Sequence, residues 1–272
     1  MPDGFELELT ALDAAVWPKL GITKGELLRY YVRVAAVLLP NVADRPLGAR
    51  YFPKGVGHTA YFQQRAPARV PPGVRVDGLD IDIPVRRRLV GGSLLTLLCM
   101  TDSGAISQDP WFSRVGTLDY PDYAVFDLDP MPGASFATVR DVARWIGDAL
   151  HRLEIVGIPK TSGASGLHVY VPLTPRTTYA DSRVFCETIA RRVTWRHRRV
   201  AATERSIAAR GPRAYVTCLQ NLRSKTLATA YSARASAFAG VSMLVTWKEI
   251  DGPARSVRVH RADGAGSHRG RR

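Results

Sequence analysis

Residues 123–130 read YAVFDLDP. Side chains alternate faces along an extended chain, so Asp127 and Asp129 share one face and Phe126 and Leu128 the other. No other segment constrains the fold as much. A strand predicted over 123–129 must press one face into a core and turn its acidic face toward something that accepts charge. Carboxylates at i and i+2 can hold one or two divalent cations, and two-metal nucleotidyl transfer uses such a pair to activate the attacking oxygen and to neutralise the leaving pyrophosphate. Magnesium prefers hard oxygen ligands, which suits the pair. Taken alone, the pair is equally compatible with two surface acids before a Pro-bounded turn.

The rest of the chain reads as a mixture of helices and strands. Thr23 followed by Glu26 forms a capping-box pattern. Leu27, Leu28, Tyr31, Val34, Ala35 and Leu38 then recur at helical spacing, with Pro40 expected to end the helix. Residues 47–75 are rich in Gly, Pro and aromatics and predict short strands and loops. Residues 76–100 predict strands and a buried apolar segment, GGSLLTLLCM. An amphipathic helix is predicted over 136–154, carrying Val139, Val142, Ile146, Leu150 and Leu153. A strand over 166–173 has His168 and Tyr170 on one face. A helix over about 181–194 carries Val184, Phe185, Ile189 and Val193, and a strand is predicted over 213–221.

Charge narrows the class of partner. The chain has 38 Lys+Arg against 24 Asp+Glu, net +14, an excess that points to a polyanion and first to nucleic acid. A basic protein that simply favours arginine is the bland alternative. Cys99, Cys186 and Cys218 are far apart and form no CxxC pair, which argues against structural zinc and a disulfide framework. The acidic N-terminus has no apolar h-region, and the longest apolar runs are too short to span a bilayer. The expected location is therefore cytoplasmic and nucleoid-associated, with no membrane partner. Residues 252–272 contain six arginines and little apolar content, and are expected to form a disordered basic tail. Arg191, Arg192, Arg196, Arg198 and Arg199 form a second basic cluster, for which a solvated helix face is the plainer reading.

About thirty residues beyond the acids lies KTSGASGLHVYVPL. Its small residues let the backbone approach a phosphate, and Ser162 can donate a hydrogen bond to one. His168 opens a strand that can lie beside the acidic strand, although an isolated histidine there reads more readily as a core residue satisfied by backbone.

These segments, taken with VWPKLGITKGELLRYYVRVAAVLLPNVADRPLG, FPKGV, YFQQRAPARVPP, DPWFSR, LQNLRSKTLATAYSARA and VSMLVTWKEI, resemble the polymerase domain of bacterial DNA ligase D, a member of the archaeo-eukaryotic primase superfamily. The resemblance covers nearly the whole chain. It implies an α+β fold with a central mixed β-sheet flanked by helices, in a domain of one or two lobes over 1–251 that stands alone. The implied activity is templated addition of ribo- or deoxyribonucleotides to DNA ends in non-homologous end joining, with Mn2+ or Mg2+. DNA ends, nucleoside triphosphates and end-joining proteins such as Ku and a ligase are the implied partners. It places metal-binding carboxylates at Asp127 and Asp129. The incoming nucleotide falls to Ser162, His168, Arg210, Arg234 and Lys225, stacking aromatics to Tyr61 and Phe62, and a lysine for a 5′-phosphate to Lys24.

The chain departs from the family pattern where metal or phosphate is expected. The third metal carboxylate is Thr217, and a hydroxyl replaces it poorly toward a hard dication. A histidine before Pro-Trp is Asp109, a lysine of the glycine loop is Ser165, and an arginine before the aromatic-Pro pair is Tyr51. A lysine after the stacking aromatics is Gln64, and a second 5′-phosphate lysine is Ala15. One compensation would have Asp109 supply the carboxylate that Thr217 lacks. The expectations are a weakened nucleotidyltransferase or, alternatively, a catalytically inactive paralogue that serves as a DNA-binding or repair-complex module. An aspartate-nucleophile phosphatase fits poorly, because Met131 stands where such enzymes carry a small hydroxyl residue.

Overall fold

A computed structural model describes residues 4–79, 86–252 and 258–259. Most of the expected tail over 252–272 lies outside the described residues.

The chain begins with β1 (Ala15–Trp17) and β2 (Ile22–Thr23), which lead into helix α1 (Lys24–Val42). Thr23 accepts from the Glu26 backbone while Glu26 returns the bond, so the capping box forms. Strands β3 (Leu47–Tyr51), β4 (Tyr61–Gln63), β5 (Val76–Leu79) and β6 (Arg86–Leu89) follow, then α2 (Leu94–Asp102) and β7 (Asp109–Pro110). Next come β8 (Tyr123–Pro130), α3 (Phe136–His151), β9 (Ile158–Thr161), β10 (Leu167–Pro172), α4 (Tyr179–Arg196), β11 (Ala201–Ala202), α5 (Ile207–Arg210), β12 (Ala214–Thr217) and α6 (Trp247–Asp251).

Five of these strands make the central sheet, in the order β11-β12-β8-β10-β9, so the acid-bearing strand lies in its middle. Only β11 runs parallel to its neighbour and the other pairings are antiparallel, which makes the sheet mixed. A smaller sheet orders as β4-β3-β7.

Two cores result. One gathers α1, α2 and β3 around Tyr31, Leu38, Leu47 and Met100, and Ala233 and Val241 join it from late in the chain. The other packs α3 and α4 on the apolar face of the central sheet, burying Phe126, Leu128, Val169, Ile146 and Ile189. Arg45 ties the first core to the segment preceding β8 by bonding the Phe112 carbonyl at 2.6 Å and pairing with Asp122.

Several boundaries differ from the sequence reading. Helix α1 continues through Pro40 to Val42. A proline this near a C-terminus forfeits one backbone bond, and the Asn41 side chain donates to the Val37 carbonyl at 2.7 Å within the same turn. Much of the segment GGSLLTLLCM is the helix α2, capped by Ser93 and buried on nearly every side, which explains why it shows no helical period. Leu153 lies beyond the end of α3 and Val184 points outward from α4, and both are exposed. Strand β12 ends at Thr217, four residues early, because Asn221 turns back to bond the backbone of Val125 in β8 at 2.8 Å in both directions.

Candidate active site

Register builds the site. His168 of β10 lies directly opposite Asp127, Thr217 of β12 lies opposite it on the other side, and Lys160 of β9 lies opposite His168. These four residues form one row across the sheet, on the face turned away from α3 and α4. Asp129 lies opposite Tyr215 but has no partner in β10, which begins across from Leu128. The loop before β10 occupies that position instead.

This loop, residues 162–166, is closed on itself. The Ser162 N–H donates to the Gly166 carbonyl at 2.9 Å, and the Ser162 Oγ accepts from the backbone N–H groups of Ala164 and Gly166 at 3.1 and 2.9 Å. Two glycines allow it to settle onto the acids. A Cβ on Gly166 would stand 2.8 Å from Asp129 Oδ1 and 2.3 Å from the Leu128 carbonyl oxygen. Gly163 has φ +74°, and a Cβ there would meet Arg234 Cγ at 2.7 Å. The glycine cradle and the acidic pair therefore share one cleft. Arg234 locks the loop from outside by donating to the Ser162 carbonyl at 2.8 Å.

Electrostatics separates the two acids. His168 Nε2 lies 3.3 Å from Asp127 Oδ1. Burial, reinforced by the nearby Lys160, pushes His168 down to about 4, so near neutral pH the contact is a hydrogen bond from a neutral imidazole. Burial opposes charge on Asp127, yet the bonds from His168 and Gln220 outweigh it and hold this carboxyl below the usual range. Asp129 is pushed up to about 6, first by burial and then by the charge of Asp127. Arg234 is the common counter-charge, since its field reaches Asp127, Asp129, His168 and Asp109. His168 Nδ1 is buried without a hydrogen-bond partner.

Lys160 belongs to this site although the sequence reading passed over it. It is almost fully buried, and it donates to the Ala228 carbonyl at 3.0 Å and to Ser242 Oγ. Burial and then Arg234 push its ammonium well below the usual lysine range. The only sequence signal was its place at the head of the glycine-loop motif. Gln220, the other omission, adjoins the buried Asn221.

The remaining expected residues are placed unevenly. A cavity of about 550 Å³ beside the loop is lined by Arg50, Phe62, Asp109, Ala164 and Arg234 among others. Phe62 thus faces the cleft, whereas Tyr61 lies on the opposite side of β4 and stacks on Tyr51, with ring centroids 5.4 Å apart. Neighbours on a strand point apart, so the two aromatics do not form a parallel pair. Asp109 Oδ2 accepts from Ser107 at 3.0 Å, while Oδ1 is buried with no partner. Among the described residues no three His, Cys, Asp or Glu side chains group closely enough to hold a metal ion. Asp109 does not join Asp127 and Asp129 in such a group, and the Thr217 Oγ1 accepts from the Leu219 N–H at 3.2 Å.

Arg210 lies beside Asp129 through Tyr215, on whose ring it stacks at 3.5 Å, but it also donates to the Glu204 and Arg205 carbonyls. Lys225 is exposed, one residue before the cavity-lining Thr226. Lys24 is buried and bonded to Asp102 at 2.9 Å and to Thr10 at 3.1 Å. Ala15 is exposed on β1 opposite Thr23, and so adjoins Lys24. Gln64 bridges Trp111 Nε1 and the Ser224 carbonyl. Ser165 is exposed at the tip of the glycine loop. No helix among the described residues is long and apolar enough to cross a membrane.

The fold is that of a primase-polymerase domain, with a mixed sheet whose middle strand carries two acids beneath a glycine loop clamped by arginine. The family profile described as the LigD primase-polymerase domain matches residues 23–264, and the chain belongs to that family. It is 29% identical over 254 residues to the multifunctional non-homologous end joining DNA repair protein LigD of Mycobacterium tuberculosis, covering 90% of this chain and 34% of that protein. The corresponding protein of Pseudomonas aeruginosa is 30% identical over 241 residues, covering 86% and 28%. The bifunctional LigD of Bacillus subtilis is 28% identical over 248 residues, covering 90% and 39%. The chain thus spans only about a third of the length of these relatives. Its structure resembles the polymerase domain of Mycobacterium tuberculosis ligase D in complex with DNA, with TM-score 0.86 and 27% identity over 93% of this chain and 92% of that one.

Proposed function

We propose that the chain is a DNA-end-binding nucleotidyltransferase of the non-homologous end joining type, adding nucleotides to a templated 3′ end, with activity weakened by Thr217. The observation that carries this reading is the shared cleft, in which Gly166 leaves no room for a side chain beside Asp129 Oδ1 and Arg234 holds the loop above both acids. The relatives contribute the DNA and end-joining context.

The donor set suits a divalent cation. Asp127 and Asp129 offer hard oxygens on one face, and burial followed by the charge of Asp127 raises Asp129 to about 6, a cost that a dication relieves. Such an ion, Mn2+ or Mg2+, would supply charge stabilisation to the reacting phosphate. The chain's own residues do the rest. His168 orients Asp127 through Nε2. Ser162 fixes the loop with its acceptor lone pairs and keeps its hydroxyl proton for a phosphate oxygen. Arg234 meets triphosphate charge at the mouth of the cavity, and Phe62 offers a face for a base. The primer 3′ hydroxyl attacks the α-phosphorus and gives up its proton to water, the bond from the α-phosphorus to the α–β bridging oxygen breaks, and pyrophosphate leaves.

Primer extension with manganese and nucleoside triphosphates tests the reading, comparing the natural chain with Thr217→Asp and with Asp127→Ala as the blank. Restoring a carboxylate opposite Asp127 should raise extension more than ~10-fold, since even indirect supporters of a metal ligand are typically worth ~10–100-fold. Equal rates for the natural chain and Thr217→Asp would remove Thr217 as a defect.

The second reading, a binding module without catalysis, draws on the missing third acid. It predicts that neither protein extends a primer while both bind DNA with affinity that falls steeply with salt, as basic groups displace counterions from phosphates.

A further inference from the structure

The most exposed large apolar side chain among the described residues is Trp195, at 74%. It lies on α4, in an outward row with Val184, Thr188 and Arg191, while Cys186, Ile189, Ala190 and Val193 turn into the core. Around it the sequence RRVTWRHRR places five arginines and no acid between residues 191 and 199, and all five arginines are exposed. An indole standing in water within such a field is costly unless something flat and anionic covers it.

The surface there is concave. A cavity of about 210 Å³ is lined by Arg191, Trp195, Arg198, Glu204 and Arg213, among others. Its acid is engaged, since Glu204 pairs with Arg213 at 3.7 Å. Glu187, one helical turn back, is shared between Arg183 at 2.8 Å and Arg191 at 3.8 Å. Positive charge therefore dominates the rim.

The patch is also connected to the acidic site. Arg213 donates to the Arg210 carbonyl, Arg210 stacks on Tyr215, and Tyr215 is the register partner of Asp129. The path runs across β12 toward β11, the edge strand of the central sheet. Ala201 and Ala202 of β11 line the same cavity as Trp195, so the cavity lies at that edge of the sheet.

We infer that Trp195 and the arginines around it form a second DNA contact, which holds an unpaired strand beyond the site by stacking a base on the indole and pairing phosphates with Arg191 and Arg198. Paired bases do not present a free face to a surface indole, whereas any single-stranded base does, and base–aromatic stacking carries much of single-strand affinity. The inference rests on the nucleic-acid reading of the protein, but not on its catalytic competence.

The test uses fluorescence anisotropy of the full chain with a labelled 20-nucleotide single strand and with a blunt hairpin duplex, without metal or nucleotide, so that an inactive enzyme still reports. Trp195→Ala should weaken single-strand binding about tenfold, Trp195→Phe should restore most of it, and duplex affinity should change less than twofold. The double variant Arg191→Glu/Arg198→Glu should lower the slope of log affinity against log salt by about 1.4, at about 0.7 per phosphate contact. Unchanged single-strand binding by Trp195→Ala overturns the inference, and so does absence of single-strand binding by the natural chain. Equal loss on hairpin and single strand also overturns it and leaves a plain phosphate contact. Charge reversal that weakens binding while Trp195→Ala does not also overturns it, because phosphate pairing without base stacking then accounts for the contact. Whether the chain extends primers decides none of these outcomes, so failure here and failure of the polymerase reading are distinguishable.

Discussion

Strand β8 has two faces with different neighbours. Phe126 and Leu128 are fully buried among side chains of α3, α4 and the adjacent strands. Asp127 and Asp129, interleaved with them, meet His168, Gln220, the glycine loop and Arg234. Several of the expected departures from the family pattern lie on the polar side of this division or around its cleft and have found local partners. Thr217 takes the Leu219 N–H, Gln64 bridges Trp111 and Ser224, and Asp109 takes the Ser107 hydroxyl. Most of the apolar burial of β8 lies on the face of Phe126 and Leu128, with Val125 packing on Phe112 and Tyr179 at the far end of the other face, so chemistry around the acids can drift while the fold persists.

The largest expected effect tests that separation directly. Phe126→Ala should cost about 3–5 kcal/mol in chemical denaturation, the usual range for emptying a large aromatic site in a tight core. Asp127→Ala should cost less than about 1 kcal/mol, because losing the His168 bond is offset by removing the repulsion on Asp129. If both variants lose comparable stability, the two faces are not independent and the drift argument fails.

A smaller effect concerns pH. The folded Asp129 titrates at about 6 against an ordinary 3.8. Between those values the native state keeps a proton that the unfolded chain has released, so this group's contribution is full below about 3.8 and is lost as pH rises through about 6. Asp129→Asn cannot lose that proton. Its melting temperature should exceed that of the natural chain by a few degrees at pH 7.5, with the gap closing by pH 4.5. A gap that is the same at both values would show that Asp129 ionises without strain.

Much of this organisation was legible in the sequence, for physical reasons that differ by segment. Alternation along YAVFDLDP defined both faces of β8, because the period of two admits no other arrangement once one side is apolar. The glycines of residues 163–166 signalled close backbone approach, and they lie against Asp129 and Arg234. Longer-range pairings left no trace. Lys24 is expected to meet a 5′-phosphate, and the sequence gives no sign of its partner Asp102, 78 residues away, which removes it from solvent. Tyr61 and Phe62 read as a stacking pair until the register of β3 and β4 sends them to opposite sides. Lys160 stayed hidden because β9 is four residues long and shows no period, and only the pairing of β9 with β10 puts it opposite His168.

Lys160 also provides the finest probe of the polar face. Its position opposite His168 makes it the second cause, after burial, of the depressed imidazole. Lys160→Met keeps the length and apolar stem of the side chain and removes its nitrogen. In the metal-free protein the His168 ring signals, followed by NMR across pH, should then titrate above the value of about 4 set in the natural chain. The shift should stop short of the ordinary 6.5, because burial and Arg234 persist. If the His168 titration does not move, the row from Lys160 to Thr217 is a packing coincidence, and the polar face reduces to the acids, the loop and Arg234.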